Sequence, residues 1–248
     1  MATLLQRHMA LAALSFPLTM LLAGSALAQA PEPAPSADLP VTNAAGDAPP
    51  AAKGFQMAVR SGYAIPMGDA TGAGDDALSS TFGGQVPVLV ELGARYSNNL
   101  FFGLYAGLGF GGPGSVADQT CISNGVSCST QTFRIGPEMQ VHLRPGSQVN
   151  PWLGYGIGLE LATMSMSGPG GDVSMSLVGV EFAHLMAGVD FRLSRAFGVG
   201  PVFDLSLGQY SSVTTELDGV QMPAASGQIA ETGLHAWMSL GARVVLFP

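Results

Sequence analysis

From Gly54 onward, apolar and polar residues alternate with a period of two, which marks strands with two unlike faces rather than helices. The last segment shows the pattern best. Leu234, Ala236, Met238, Leu240, Ala242, Val244 and Leu246 form one face, and His235, Trp237, Ser239, Gly241 and Arg243 form the other. Earlier segments beginning at Phe55, Val86, Phe102, Phe133, Leu153, Ala183 and Val199 repeat it, which predicts about eight strands. Glycine fills many positions of the polar face, and in a helix each would cost about 1 kcal/mol relative to alanine. A strand accommodates the same sequence at lower cost.

The connections alternate in length. Ser97 to Asn99, Pro145 to Asn150 and Ser194 to Ala196 are short; residues 67–81, 112–130, 165–177 and 210–232 form long links. Short turns on one side and long loops on the other are the habit of transmembrane barrels. The pattern therefore predicts an eight-stranded antiparallel up-and-down transmembrane β-barrel over residues 54–248, with short periplasmic turns, long extracellular loops and both ends on the periplasmic side.

Charge decides which face points outward. Arg60, Glu91, Arg95, Arg134, Glu138, Glu160, Asp190, Arg192, Asp204 and Arg243 all share phase with the glycines, and that face is too charged for a dry core. The opposite face is nearly all apolar over about ten residues per strand, enough to cross a bilayer at a tilt. Apolar side chains are thus expected against lipid and charges in the lumen. The sheet must also close, because an open edge in hydrocarbon leaves backbone groups unpaired. A lumen this narrow holds only side chains, so its charges must pair. Folding about the first long loop brings Arg60 toward Glu91, and folding about the Pro145 turn brings Arg134 toward Glu160. Two roles suit such a set: a polar plug that holds the barrel's shape, or a selectivity filter.

Composition agrees with the patterning. Charged residues make up 10% of the chain and 34 residues are glycine, far from the usual balance of a soluble enzyme. One stretch is apolar enough to resemble a membrane helix. It starts after Arg7, runs from Met9 to Ala23 and ends at Ala26-Leu27-Ala28, a small-x-small processing site, so residues 1–28 read as a cleaved signal peptide. Residues 29–53, rich in proline and alanine, read as an extended linker. Export to an oxidising compartment predicts a disulfide between Cys121 and Cys128.

At this point the chain resembles the small outer-membrane barrels of the OmpA-transmembrane, OmpX and OmpW type, over roughly residues 54–248. The final strand is similar to the assembly signal of those families, ending in the aromatic Phe247. It departs from that signal in two ways, since Phe247 falls on the lumen phase and Pro248 follows it. The likeness is architectural and brings no functional residue with it.

Other chemistry is sparse. The long loops carry Asp69, Asp75, Asp76, Asp118, Asp172, Glu216, Asp218 and Glu231 and no lysine or arginine, an acidic rim suited at most to weak divalent-cation bridging. Lipid hydrolysis would need a Ser/His pair; His142 and His184 lie on the lumen phase, and His235 shares a face with Ser239 without an evident carboxylate to orient it. Lys53 is the sole lysine, so no glycine-rich stretch forms a phosphate loop. A net charge of −8 disfavours nucleic acid. No cofactor or catalytic residue is expected. The reading that remains is a structural or surface-interaction barrel embedded in outer-membrane lipid, with a narrow channel for small solutes or apolar molecules as the alternative.

Overall fold

The computed structural model describes residues 53–72 and 77–247; the predicted signal peptide and most of the linker lie outside them, as do Asp75, Asp76 and Pro248. Eight long strands close into one ring. They are β1 (Gly54–Gly68), β2 (Phe82–Arg95), β3 (Leu100–Pro113), β4 (Ser127–His142), β5 (Val149–Gly168), β6 (Gly171–Arg192), β7 (Phe197–Leu217) and β10 (His235–Leu246). Each pairs antiparallel with the next, and β10 pairs with both β7 and β1, so none of the eight has a free edge. Two short strands, β8 (Val220–Gln221) and β9 (Gly227–Gln228), lie along the upper part of β7.

Side chains alternate across this wall as the sequence pattern predicts. Phe55, Leu92, Leu104, Leu153, Leu159 and Leu240 stand outward and exposed, while Arg60, Glu91, Gln140, Glu160 and Arg243 are buried inside. Tyr96, Phe102 and Phe191 ring the turn end of the exposed surface, with Tyr63 and Phe110 nearer the loop end. An apolar belt of this extent, with aromatics toward both margins, is the surface that a bilayer covers. No helix of the described residues is long and apolar enough to cross a membrane.

Two of the four long loops differ from expectation. Residues 165–177 are not a loop: β5 and β6 continue toward each other and meet at a tight turn through Pro169 and Gly170. Residues 210–232 likewise begin as strand, since β7 runs to Leu217. Strands β5, β6 and β7 are therefore 20, 22 and 21 residues long, against 14 or 15 for β1, β2 and β3, and the barrel is tall on one side. Serines and threonines there read as loop composition, yet they are the outward half of a continuing alternation. The turn after β4 also ends earlier than expected, with Asn150 already inside β5.

The other two long connections carry helix. After β1 comes α1 (Leu78–Thr81), and after β3 comes α2 (Ser115–Asn124), which stops at Gly125 in a left-handed conformation (φ 64°). A disulfide joins Cys121 on α2 to Cys128 on β4. A bulge in β6 has the largest consequence for the lumen. Its register shifts between Glu181 and Ala183, so Phe182 and Ala183 both face outward and the phase reverses. Glu181 thereby points inward beside His184, a position that strict alternation from Ala183 would not assign to it.

Candidate functional site

The lumen is filled by three stacked layers of polar side chains. At the turn end, Arg95 donates from Nε to Gln56 Oε1 at 2.5 Å and reaches the ring of His142 at 3.3 Å. Asn150 Nδ2 lies 2.7 Å from His142 Nδ1. Phe247, inward as its phase predicts, is covered by two guanidinium groups: Arg95 and Arg192 lie 5.1 and 4.4 Å from its ring centroid. Cation–π stacking of this kind places the last aromatic as a stopper in the turn-end mouth.

The middle layer holds most of the charge. Arg243 donates from Nη2 to Glu91 at 2.7 Å and to Gln140 at 2.8 Å, and from Nη1 to Asp190 at 3.0 Å. Its guanidinium also sits 4.3 Å from the Trp152 ring. Arg60 donates to Asp204 at 2.6 Å, and its Nε lies 3.3 Å from Glu91. Glu138 is more distant, 3.9 Å from Arg60, and accepts from Gln140 at 3.3 Å. Across the lumen, Tyr105 donates to Glu181, which also lies 3.4 Å from His184.

Glu160 organises the upper layer. It accepts from Tyr210 at 2.5 Å and from the indole of Trp237 at 2.9 Å, and Arg134 Nε lies 3.4 Å away. His235 also stands 3.4 Å from this carboxylate and stacks on Tyr210 with centroids 4.0 Å apart. His235 thus does have a carboxylate neighbour, contrary to the sequence reading, because Glu160 is 75 residues away along the chain. Ser239 does not approach it and instead donates to Asp204 at 3.2 Å.

All ten lumen residues singled out from sequence face this interior, and Arg60 with Glu91 and Arg134 with Glu160 are neighbours on paired strands. The structure adds partners that hairpin folding does not indicate: Glu181, Gln140, Tyr105, Tyr210 and the two tryptophans. Among the described residues, five arginines face six carboxylates in the lumen. Such a set tolerates burial only because each charge is held by more than one partner.

The inward glycines make room for this packing. Tyr105 crosses the inner surface of β5 at Gly158 to reach Glu181, and a side chain at Gly158 would collide with its hydroxyl. Trp152 lies against Gly188, where an added Cβ would fall 2.7 Å from the indole. Gly188→Val is therefore expected to displace Trp152 from beneath Arg243 and to destabilise the barrel by about 1–3 kcal/mol, read as a lower urea midpoint for unfolding from lipid vesicles. Gly170→Ala, in open space at the β5–β6 turn, should leave the midpoint unchanged.

Above the charged layers the lumen turns apolar. A cavity of about 460 Å³ is lined by Met164, Met166, Met175, Leu177 and Val213 on the tall strands and by Val116 and Ala117 on α2, among others. Among the described residues no group of three or more acidic, histidine or cysteine side chains is placed to hold a metal. Of the acidic loop residues, Asp218 accepts from the backbone of Asp172 at 2.8 Å.

No family model matches the sequence, and no curated protein matches it. Solved structures do. Neisserial surface protein A matches at 15% identity and a TM-score of 0.41, over 77% of this chain and 96% of its own. Ail, the attachment invasion locus protein of Yersinia pestis, matches at 12% and 0.40, over 77% and 97%. The outer-membrane protease OmpT from Escherichia coli matches at 6% and 0.39, over 78% and 96%. The chain resembles small outer-membrane β-barrels. A fold alone does not select an activity.

Proposed function

We propose that this chain is an integral barrel of a Gram-negative outer membrane, exported by a cleaved signal peptide, with a structural or surface-interaction role and a lumen sealed by its own charge network. The observation that carries this reading is how little space the network leaves. The voids beside Arg134 and among Pro87, His184, Asp204 and Trp237 are about 10 Å³ each. That is at the threshold for one water, and far below what a hydrated ion requires. A strand wall closed by hydrogen bonds and filled by ion pairs supports a rigid platform. The short turns and both strand ends then face the periplasm, and the taller loop side faces outward.

An enzymatic role has less support. The histidine nearest the loop end, His235, is packed on Tyr210 beneath the apolar layer, and Ser239 is engaged with Asp204. Weak bridging of divalent cations by the acidic rim remains compatible with a platform and would add no site to the lumen. Planar-bilayer recording tests the sealed lumen directly. The purified barrel should show no unitary current above background at moderate voltage. Reproducible currents from the unaltered protein, shifted in amplitude or ion preference by Glu91→Gln, would replace the plug with a selectivity filter.

A further inference from the structure

The alternation of side chains inverts partway up the tall strands. Through Leu159, Leu161, Val178 and Val180 the outward face is apolar and the inward face carries Glu160, Gly179 and Glu181. One step higher the outward positions are Thr163, Ser165, Ser167, Ser174 and Ser176, while Met164, Met166, Met175 and Leu177 face inward. Thr163 and Ser176 even share a hydrogen bond of 3.0 Å across the outer surface. Lipid cannot explain this arrangement. It is the pattern of a water-exposed wall around a greasy interior, the arrangement of a soluble ligand-binding cup.

The interior it encloses is built as a cup. Aromatic rings pack behind part of its lining: Phe82 and Trp237 meet edge to face at 6.3 Å, and the polar tips of Trp237 and Tyr210 point to Glu160. The bodies of these rings join Ala162, Met164 and Leu177 in one apolar cluster. Its far side is α2, whose Ala117 and Cys121 are buried in the same cluster and whose end is tied to β4 by the Cys121–Cys128 disulfide. The open cavity's volume of about 460 Å³ falls within the range of small-molecule pockets, roughly 300–1,000 Å³. Among the described residues no ionisable side chain lines it; the polar groups they contribute to its wall are the hydroxyls of Thr71, Ser80 and Thr81.

We propose that this vestibule binds a small, uncharged, predominantly apolar molecule and holds it above the plug. Three methionines suit that task, since their unbranched thioethers adapt to ligands of differing shape. A charged ligand would lose its hydration against this lining with nothing to replace it. Capture at the outer surface rests on the sealed-lumen reading, in which the charged layers below leave no axial path. The binding itself goes beyond that reading, and the two fail separately because occupancy and conductance are measured separately.

Methionine-methyl NMR of the full barrel in lipid nanodiscs tests the proposal, with naphthalene as the neutral probe and naphthalene-2-sulfonate as its charged counterpart. Naphthalene should shift the methyls of Met164, Met166 and Met175 in a saturable manner, while lipid-facing Met139 moves only in proportion to added probe. Ala117→Trp, which fills the cavity from α2, should weaken the saturable shift by at least about tenfold. Should that variant disturb α2, Met175→Gln, on the strand wall, should weaken it in the same direction. Equal, non-saturating shifts at Met139 and the vestibule methionines would overturn the proposal, since they report partitioning into lipid. Binding of the sulfonate as tight as that of naphthalene would overturn the neutral ligand class.

Discussion

Arg243→Ala is expected to lower the stability of the lipid-embedded barrel by about 3–5 kcal/mol, the cost of leaving a buried carboxylate without its counter-ion. Arg243 is fully buried at the centre of the plug and touches Glu91, Asp190, Gln140 and Trp152. Its loss leaves Glu91 with Arg60 and Gln140, and Asp190 with the Trp152 indole, so two carboxylates lose their strongest donor together. Urea titration in vesicles, followed by tryptophan fluorescence, reads the change directly. Arg195→Ala, on the exposed turn after β6, supplies the comparison and should move the midpoint very little. If both variants unfold at the same urea concentration as the parent, the buried network does not hold the barrel together. Pairing Arg243→Met with Asp190→Leu should recover part of the loss, because removing both charges removes the desolvation penalty with the attraction.

The sequence made parts of this network legible and hid others for physical reasons. Arg60 with Glu91 and Arg134 with Glu160 sit on adjacent strands, where hairpin geometry relates positions by simple counting. Arg243 with Glu91 joins β10 to β2 across β1, and Arg60 with Asp204 joins β1 to β7 across β10, so both depend on ring closure and on the shear of the strands. Glu181 is harder still. It lies just before the β6 bulge, where the outward apolar phase passes from Val178, Val180 and Phe182 to Ala183, Leu185 and Ala187, so alternation counted back from Ala183 places Glu181 on the wrong face. The upper halves of β5, β6 and β7 were hidden by inversion: Ser165, Ser167, Ser174 and Ser176 resemble loop residues when apolar-outward strands are sought. Their methionine partners carried the missing signal, because Met164 and Met166 keep the same period as Glu160 below them.

That inversion also fixes where lipid should end, and a matched pair of arginine substitutions locates the boundary. Leu104 stands outward near the middle of β3, 60% exposed and flanked across the strands by Leu92 and Pro137. Leu104→Arg should cost about 2–4 kcal/mol, as a guanidinium at the bilayer midplane does. Ser174, on the outward face of β6 above the belt, is paired with Ser165 and Glu216. Ser174→Arg places the same charge in water beside an acidic neighbour, so its effect should stay within about 0–1 kcal/mol. The difference between the two variants carries the argument, since both add an identical side chain to an outward-facing strand position. A neutral Leu104→Arg would mean that the apolar face does not meet hydrocarbon and that the charges inside are not there to escape it. A costly Ser174→Arg would raise the lipid boundary past the inversion, and the methionine-lined space would then lie within the membrane rather than above it.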